Sequence, residues 1–366
     1  MSKAKVYFAD FKVTAKENLL QKLTRLAKTA GIEQIDFRNK FTAIKIHFGE
    51  MGNLSYLRPN YARAIVDLVK AAGGQVFLTD CNTLYVGKRK NALDHLDTAY
   101  QNGFNPFTLG CHILIADGLK GTDEALIPIE GQYVQEAKIG QAIADADIII
   151  SLTHFKLHEL TGAGGTLKNL GMGCGSRAGK MEMHSDGRPQ VNSEKCISCG
   201  SCRKNCAHEA ISFIEKKAHI DQNICKGCGR CIGVCPVDAI AAEMDSNSVK
   251  LNCKIAEYTK AVLQDKPSFH ISLIVDGAPF CDCHAENDIP IISDVGMLAS
   301  FDPVALDQAC VDLVKAQKPN PHSVLGDVEP GSNYFKAVYP HTDYASCFEH
   351  AAKIGLGSRE YELIKI

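Results

Sequence analysis

The chain has 366 residues, 45% of them apolar, and a formal net charge of -2. That length exceeds one compact module and supplies a large core plus a smaller domain, while a near-neutral charge without a long run of one sign argues against nucleic acid and against an anionic membrane surface. The charged start MSKAKVYFADFK lacks an apolar signal core, and no stretch reaches the roughly 18 consecutive apolar residues of a membrane span, so a cytoplasmic protein with no membrane partner is expected.

In chain order, AIKIHF (43–48) reads as a short apolar strand, followed by a helix from about Pro59 that Gly73 and Gly74 stop. QVFLTD (75–80) and HILIAD (112–117) read as strands, 133–144 as a helix, and DIIISL (147–152) as a strand. After the cysteine-rich centre come a helix near 250–264, strands ISLIVD (271–276) and PIISDV (290–295), and a helix over 302–317. Near-continuous Ile, Leu and Val strands between helices predict an α/β fold: a mostly parallel sheet covered by helices.

The carboxyl ends of parallel strands line the ligand crevice of such sheets. Here they carry Lys45, His47 and Glu50, then Asp80, Cys81 and Asn82, then Asp117, then Ser151, His154, Lys156 and His158, and finally Asp276 and Asp294. If the strand runs past Leu152, His154, Lys156 and His158 share one face, and the glycines of LTGAGGTLKNLGMGCG allow close approach to a ligand. His47, Asp80, His154, Lys156, His158 and Lys168 are therefore the candidate residues for a small anionic substrate. A flexible connection is the alternative reading of 153–180, which contains neither a Walker loop nor a complete dinucleotide fingerprint.

Sixteen cysteines are the outlier in composition, and without an export signal metal binding explains them better than disulfides. Eight lie between 196 and 235 as two runs with the same spacing, CISCGSCRKNC and CKGCGRCIGVC, repeated with a period of 29 residues. Three thiolates on one tight loop cap three irons of a cubane while the fourth points toward the other loop; zinc gives no reason for two four-cysteine runs. The double motif resembles the bacterial two-cluster ferredoxins over about residues 191–245. That resemblance implies two [4Fe-4S] clusters with crossed ligands: Cys196, Cys199, Cys202 and Cys235 for one, Cys225, Cys228, Cys231 and Cys206 for the other. Ala207 replaces the proline found at Pro236 in the second run, which implies altered packing around that cluster.

Residues 191–245 hold seven basic and seven acidic side chains, with Arg203, Lys204, Lys226 and Arg230 inside the ligand runs. A diffusing acidic ferredoxin would not look like this. The cations favour an acidic electron-donor protein, such as an acidic ferredoxin, or a docked partner domain. Outside the module, Cys281 and Cys283 point the same way in an extended loop beside His284, a candidate seat for an additional metal ion or cluster that a distant thiol such as Cys174 or Cys253 would complete.

IKIHFGE (44–50), HFKLHELTGAGGTLKNLGMG (154–173), CDCH (281–284) and DVGMLASFDPVALDQACVDLV (294–314) together resemble the iron–sulfur proteins grouped as domain of unknown function 362. The resemblance implies an α/β domain (1–187 and 247–366) carrying an inserted α+β ferredoxin-like domain (188–246), and it implies redox work without naming a substrate. The leading expectation is electron transfer from the insertion to a partner or to a site in the α/β domain. An oxidoreductase acting on a small anionic substrate is the first alternative, and a metal-assisted hydrolase or lyase with structural clusters the second.

Overall fold

The computed structural model describes residues 3–84, 87–185, 187–242 and 247–366. Eight strands form the main sheet: β1 (Ala4–Asp10), β2 (Phe41–Lys45), β3 (Gln75–Asp80), β4 (His112–Ile115), β5 (Ile148–His154), β6 (Ser268–Ile274), β7 (Gly296–Ser300) and β8 (Tyr361–Lys365). Their order is β8-β1-β7-β6-β5-β2-β3-β4. All neighbouring pairs are parallel except the two that β7 makes with β1 and β6.

Alternate residues of each central strand feed opposite faces, as the two-residue period of a strand requires. Ala43, Phe77, Ile149 and Leu298 join one core, whereas Ile44, Leu78, Ile148, Ile150 and Met297 join the other. Helices α1 (Leu19–Thr29), α2 (Pro59–Ala71) and α3 (Ala92–Gln101) cover the second face with Leu23, Leu26, Ile65, Val69 and Ala99. The first face carries α4 (Thr166–Cys174), α5 (Arg177–Ser185), α6 (Ser248–Leu263), α7 (Pro303–Lys315) and α8 (Tyr344–Lys353), with Leu167, Met183, Ile255, Val311 and Phe348 inside. Burial on both faces is why these strands read as unbroken apolar runs. The start of α7 follows from its sequence: Asp302 accepts from the N–H groups of Val304 and Ala305, and Pro303 occupies a position whose N–H has no helical partner.

Three local expectations change. Residues 133–144 contain a hairpin strand (Glu136–Gly140, paired with Glu124–Pro128) and only a four-residue helix, Gln141–Ala144. PIISDV is a loop; the strand lies at Gly296–Ser300 and runs antiparallel, so Asp294 reaches the ligand edge from the strand's beginning. The chain after β5 is not a flexible connection. It forms a buried hairpin, Lys156–His158 with Gly162–Gly164, and then α4 and α5.

The cysteine-rich segment packs around a small core, including Ile211, Ile220, Ile232 and Ile240, which Leu84 and Met181 of the α/β part join. Pro189–Val191 pairs with Ile240–Ala242, bringing its two ends together, and Ile211–Ile214 pairs with Lys217–Ile220. The expected boundary at residue 246 lies in 243–246, outside the described residues. No described helix is long and apolar enough to cross a membrane.

Candidate functional site

A cleft with about 710 Å³ of empty space opens at the carboxyl ends of β2, β3 and β5. His47, Asp80, His154, Lys156, Lys168, Cys281 and Cys283 all line it, gathered from segments more than two hundred residues apart. His158 sits behind the wall, almost fully buried, because Phe155 separates β5 from the next strand. Asp276 and Asp294 meet each other at the outer edge, where the Asp276 N–H donates to the Asp294 carboxylate at 2.8 Å. Asp117 accepts from Asn82.

Among the described residues, five Lys or Arg side chains line the cleft (Lys45, Arg89, Lys156, Lys168 and Lys180) against one carboxylate, Asp80. The carboxylates that hold these cations lie mostly in the walls. Lys45 Nζ is 3.0 Å from Asp80 and donates to Asn169 Oδ1 at 2.8 Å. Burial would raise the Asp80 carboxyl, but Lys45 and the other cations hold it below its ordinary value. Arg89 donates to Glu50 at 3.0 Å and lies 2.9 Å from His47 Nε2; burial and the Arg89 charge push His47 well below the usual imidazole range.

Asp282, fully buried, is the residue that sequence reasoning missed. It lies 2.9 Å from His154 Nδ1 and 2.5 Å from Lys156 Nζ, and these cations hold it below the ordinary carboxylate range despite burial. His154 Nε2 lies 2.6 Å from the Val275 carbonyl, so both ring nitrogens face acceptors. The signal was the CDC triplet itself, where an acid sits between two soft side chains at a strand end. Arg89 and Lys180 had no comparable local signal.

Cys281 and Cys283 are brought together with His158, and Cys283 also lies with Glu159 and His284; each trio of donor atoms falls within 4.8 Å. Cys174 and Cys253 join neither trio among the described residues. Cys174 instead lies beside Cys81, whose thiol donates to its carbonyl.

In the cysteine-rich segment, Cys196, Cys199, Cys202 and Cys235 line one cavity with about 310 Å³ of empty space whose walls are otherwise apolar, glycine or Ser198, with no charged side chain among the described residues. Backbone N–H groups of Ala218 and Ala239 donate to the sulfurs of Cys196 (3.5 Å) and Cys235 (3.2 Å). Burial, with Cys228 and Cys206 nearby, pushes the Cys225 thiol above its ordinary value. Four thiols around a charge-free hollow, with amide donors to sulfur, fit an iron–sulfur group.

The segment meets the cleft through Arg177, which is fully buried. Its guanidinium donates to the carbonyls of Thr83 (3.2 Å) and Lys90, and Thr83 lines the cleft. On the other side it packs against the second cysteine run: a Cβ on Gly229 or Gly233 would come within 3.0 Å of the Arg177 side chain, so only glycine permits this approach.

Fold and site together define an α/β protein bearing a ferredoxin-type iron–sulfur module. The chain belongs to the family described as Domain of unknown function (DUF362), which it matches over residues 42–312. Shorter stretches resemble redox proteins. Fifty-eight residues are 40% identical to the pyruvate synthase subunit PorD of Methanothermobacter marburgensis, covering 16% of this chain and 68% of that subunit. Forty-five residues are 47% identical to a component of the ion-translocating oxidoreductase complex of Methanosarcina acetivorans, covering 12% of this chain and only 17% of that component's length. Among solved structures, the lactate racemase apoprotein from Thermoanaerobacterium thermosaccharolyticum is 11% identical with a TM-score of 0.38, over 74% of this chain and 50% of that one.

Proposed function

We propose that this protein takes low-potential electrons through its cysteine-rich insertion and delivers them to a small anionic acceptor in the α/β cleft. Two [4Fe-4S] clusters, one on Cys196, Cys199, Cys202 and Cys235 and the other on Cys225, Cys228, Cys231 and Cys206, would supply one-electron transfer when bound. The observation that carries the reading is Arg177, a buried side chain that touches the second cysteine run and the cleft wall at once. Electrons enter at the exposed Cys199, where exposed Arg203 and Lys204 suit an acidic donor protein.

Within the cleft the residues have separate tasks. Lys168 and Lys156 attract the anion, the His154–Asp282–Lys156 group fixes its wall, and the Lys45–Asp80–Asn169 network holds the floor rigid. The test is rapid mixing of the reduced full-length protein with small carboxylate- and phosphate-bearing acceptors. Reoxidation should saturate with acceptor, and Lys168→Ala should raise the half-saturating concentration at least about tenfold with cluster spectra unchanged. Identical, unsaturable reoxidation in both proteins would reduce the cleft to scaffold.

A further inference from the structure

Electron delivery to an anion leaves unused the two thiols that open on the same cleft. Cys281 and Cys283 have sulfurs within 4.8 Å of each other and of a His158 ring nitrogen. The Cys283 N–H donates to Cys281 Sγ at 3.4 Å. The third member of the trio resembles a metal ligand only until its proton is placed. His158 Nδ1 accepts from the N–H groups of Leu160 (3.1 Å) and Thr161 (3.3 Å), so a neutral ring carries its proton on Nε2. Nε2 is buried, makes no hydrogen bond among the described residues, and lies 3.5 Å from the Glu159 carboxylate. A metal ligand needs a lone pair there, whereas the turn has selected a donor.

The surroundings are those of a thiolate. Lys156 and Lys168 share the cleft wall with Cys281, and among the described residues the Lys168 ammonium makes no hydrogen bond. Burial would raise the Cys281 thiol, but the hydrogen bond with Cys283 and the charges of Lys168 and Lys156 bring it well below its ordinary value. Cys283 is pushed the other way, chiefly by its bond to Cys281. The Cys281 sulfur, which accepts the Cys283 N–H and shares the cleft wall with two lysines, is thus placed to attack, and Cys283 beside it to resolve.

We propose that Cys281 and Cys283 form a two-electron dithiol–disulfide couple within the cleft, acting on low-molecular-weight anionic disulfides. The Cys281 thiolate attacks one sulfur of the substrate, forms a mixed disulfide and releases one substrate thiolate. Cys283 then loses its proton, its sulfur displaces the second substrate thiolate, and the Cys281–Cys283 disulfide closes. The substrate gains two electrons and the pair loses two; two one-electron equivalents and one proton return the pair to thiolate and thiol. A disulfide between residues two apart is strained, which makes it readily reducible. Only this return, by low-potential electrons from the iron–sulfur module, rests on the function proposed above.

The test equilibrates the anaerobic full-length protein with mixtures of oxidised and reduced glutathione, a carboxylate-bearing disulfide, then traps free thiols by alkylation and weighs the peptide containing both sulfurs. The doubly alkylated form should give way to a disulfide in one two-electron transition. Cys283→Ser should stop at a Cys281–glutathione adduct, and Lys168→Ala should slow Cys281 alkylation at least about tenfold. Full alkylation at every ratio, an unchanged rate in Lys168→Ala, or protection of both sulfurs that a chelator reverses would overturn the couple; the last would identify a metal site. In a reductive titration, the oxidised wild type should take up about two more electron equivalents than the Cys281→Ser/Cys283→Ser variant. Equal uptake with intact cluster spectra would overturn the couple alone, and absence of cluster spectra from both proteins would overturn the electron-transfer reading.

Discussion

The cysteine-rich insertion and the cationic cleft solve opposite problems with polar groups. The insertion keeps its sulfurs on short local runs around a small core, with Cys199 exposed and Cys196, Cys206, Cys225 and Cys228 only half-buried. The cleft draws its charged groups from distant segments and buries most of them against a sheet with apolar cores on both faces. A module with so little apolar side chain gains folding energy from what it binds, whereas buried charges are tolerable only where a large core and close pairing offset their desolvation. The two regions should therefore fail differently.

The largest effect expected is on the insertion. Cys235→Ser should remove the group held with Cys196, Cys199 and Cys202, and Cys206→Ser the group held with Cys225, Cys228 and Cys231, each lowering iron by roughly half. Spin resonance of the two reduced variants should reveal complementary losses. If each serine instead damaged the group on its own run, the crossed assignment would be wrong.

Asp80→Asn probes the cleft. Lys45 would be left buried without the carboxylate it pairs with, at a cost of about 3–5 kcal/mol, because removing one partner of an enclosed pair strands the other. Burial holds His95, 3.8 Å from Asp80, at a pKa of about 3 against the pull of the Asp80 carboxylate, and an imidazole supplies no negative charge to take that carboxylate's place beside Lys45. The midpoint of denaturant unfolding should fall, with iron content unchanged. An unaltered midpoint would mean that the pair is solvated in practice and that the rigid floor described above does not exist.

How far each region could be read in advance follows from the same contrast. The cysteine runs were visible because a cubane's ligand spacing is local and specific, and the sheet was visible because two-sided burial writes unbroken apolar strands. The cleft was legible only as a direction: strand ends named Asp80, His154 and Lys156, but Arg89 and Lys180 reach it from a loop and a helix that no periodicity links to the sheet edge. Strand β7 was misplaced by its neighbour PIISDV, equally apolar, because only pairing with β1 and β6 decides which segment enters the ladder. The edge strand β8 and its neighbour β1 went unread: with Tyr7, Phe8, Leu363 and Ile364 only partly buried, they lack the unbroken apolar pattern.

The smallest effect expected lies where the two regions meet. Asp117 Oδ1 accepts from the backbone and side-chain N–H groups of Asn82 at 2.9 and 2.8 Å, while its buried Oδ2 has no partner among the described residues. Burial pushes its pKa up to about 6, against the pull of Lys180 and Arg177. A carboxyl raised in the folded state binds its proton more tightly there than in the unfolded chain. Its contribution is complete below the ordinary value near 3.8 and is lost as the pH rises through about 6, amounting to about 1–3 kcal/mol. Asp117→Asn keeps the Oδ1 acceptor and replaces the titrating oxygen with an amide, so the difference in unfolding free energy between about pH 4.5 and about pH 7 should shrink by that amount. If the variant follows the wild-type pH profile, Asp117 is ionised across the range, and its charge balances Arg177 at the contact between insertion and cleft.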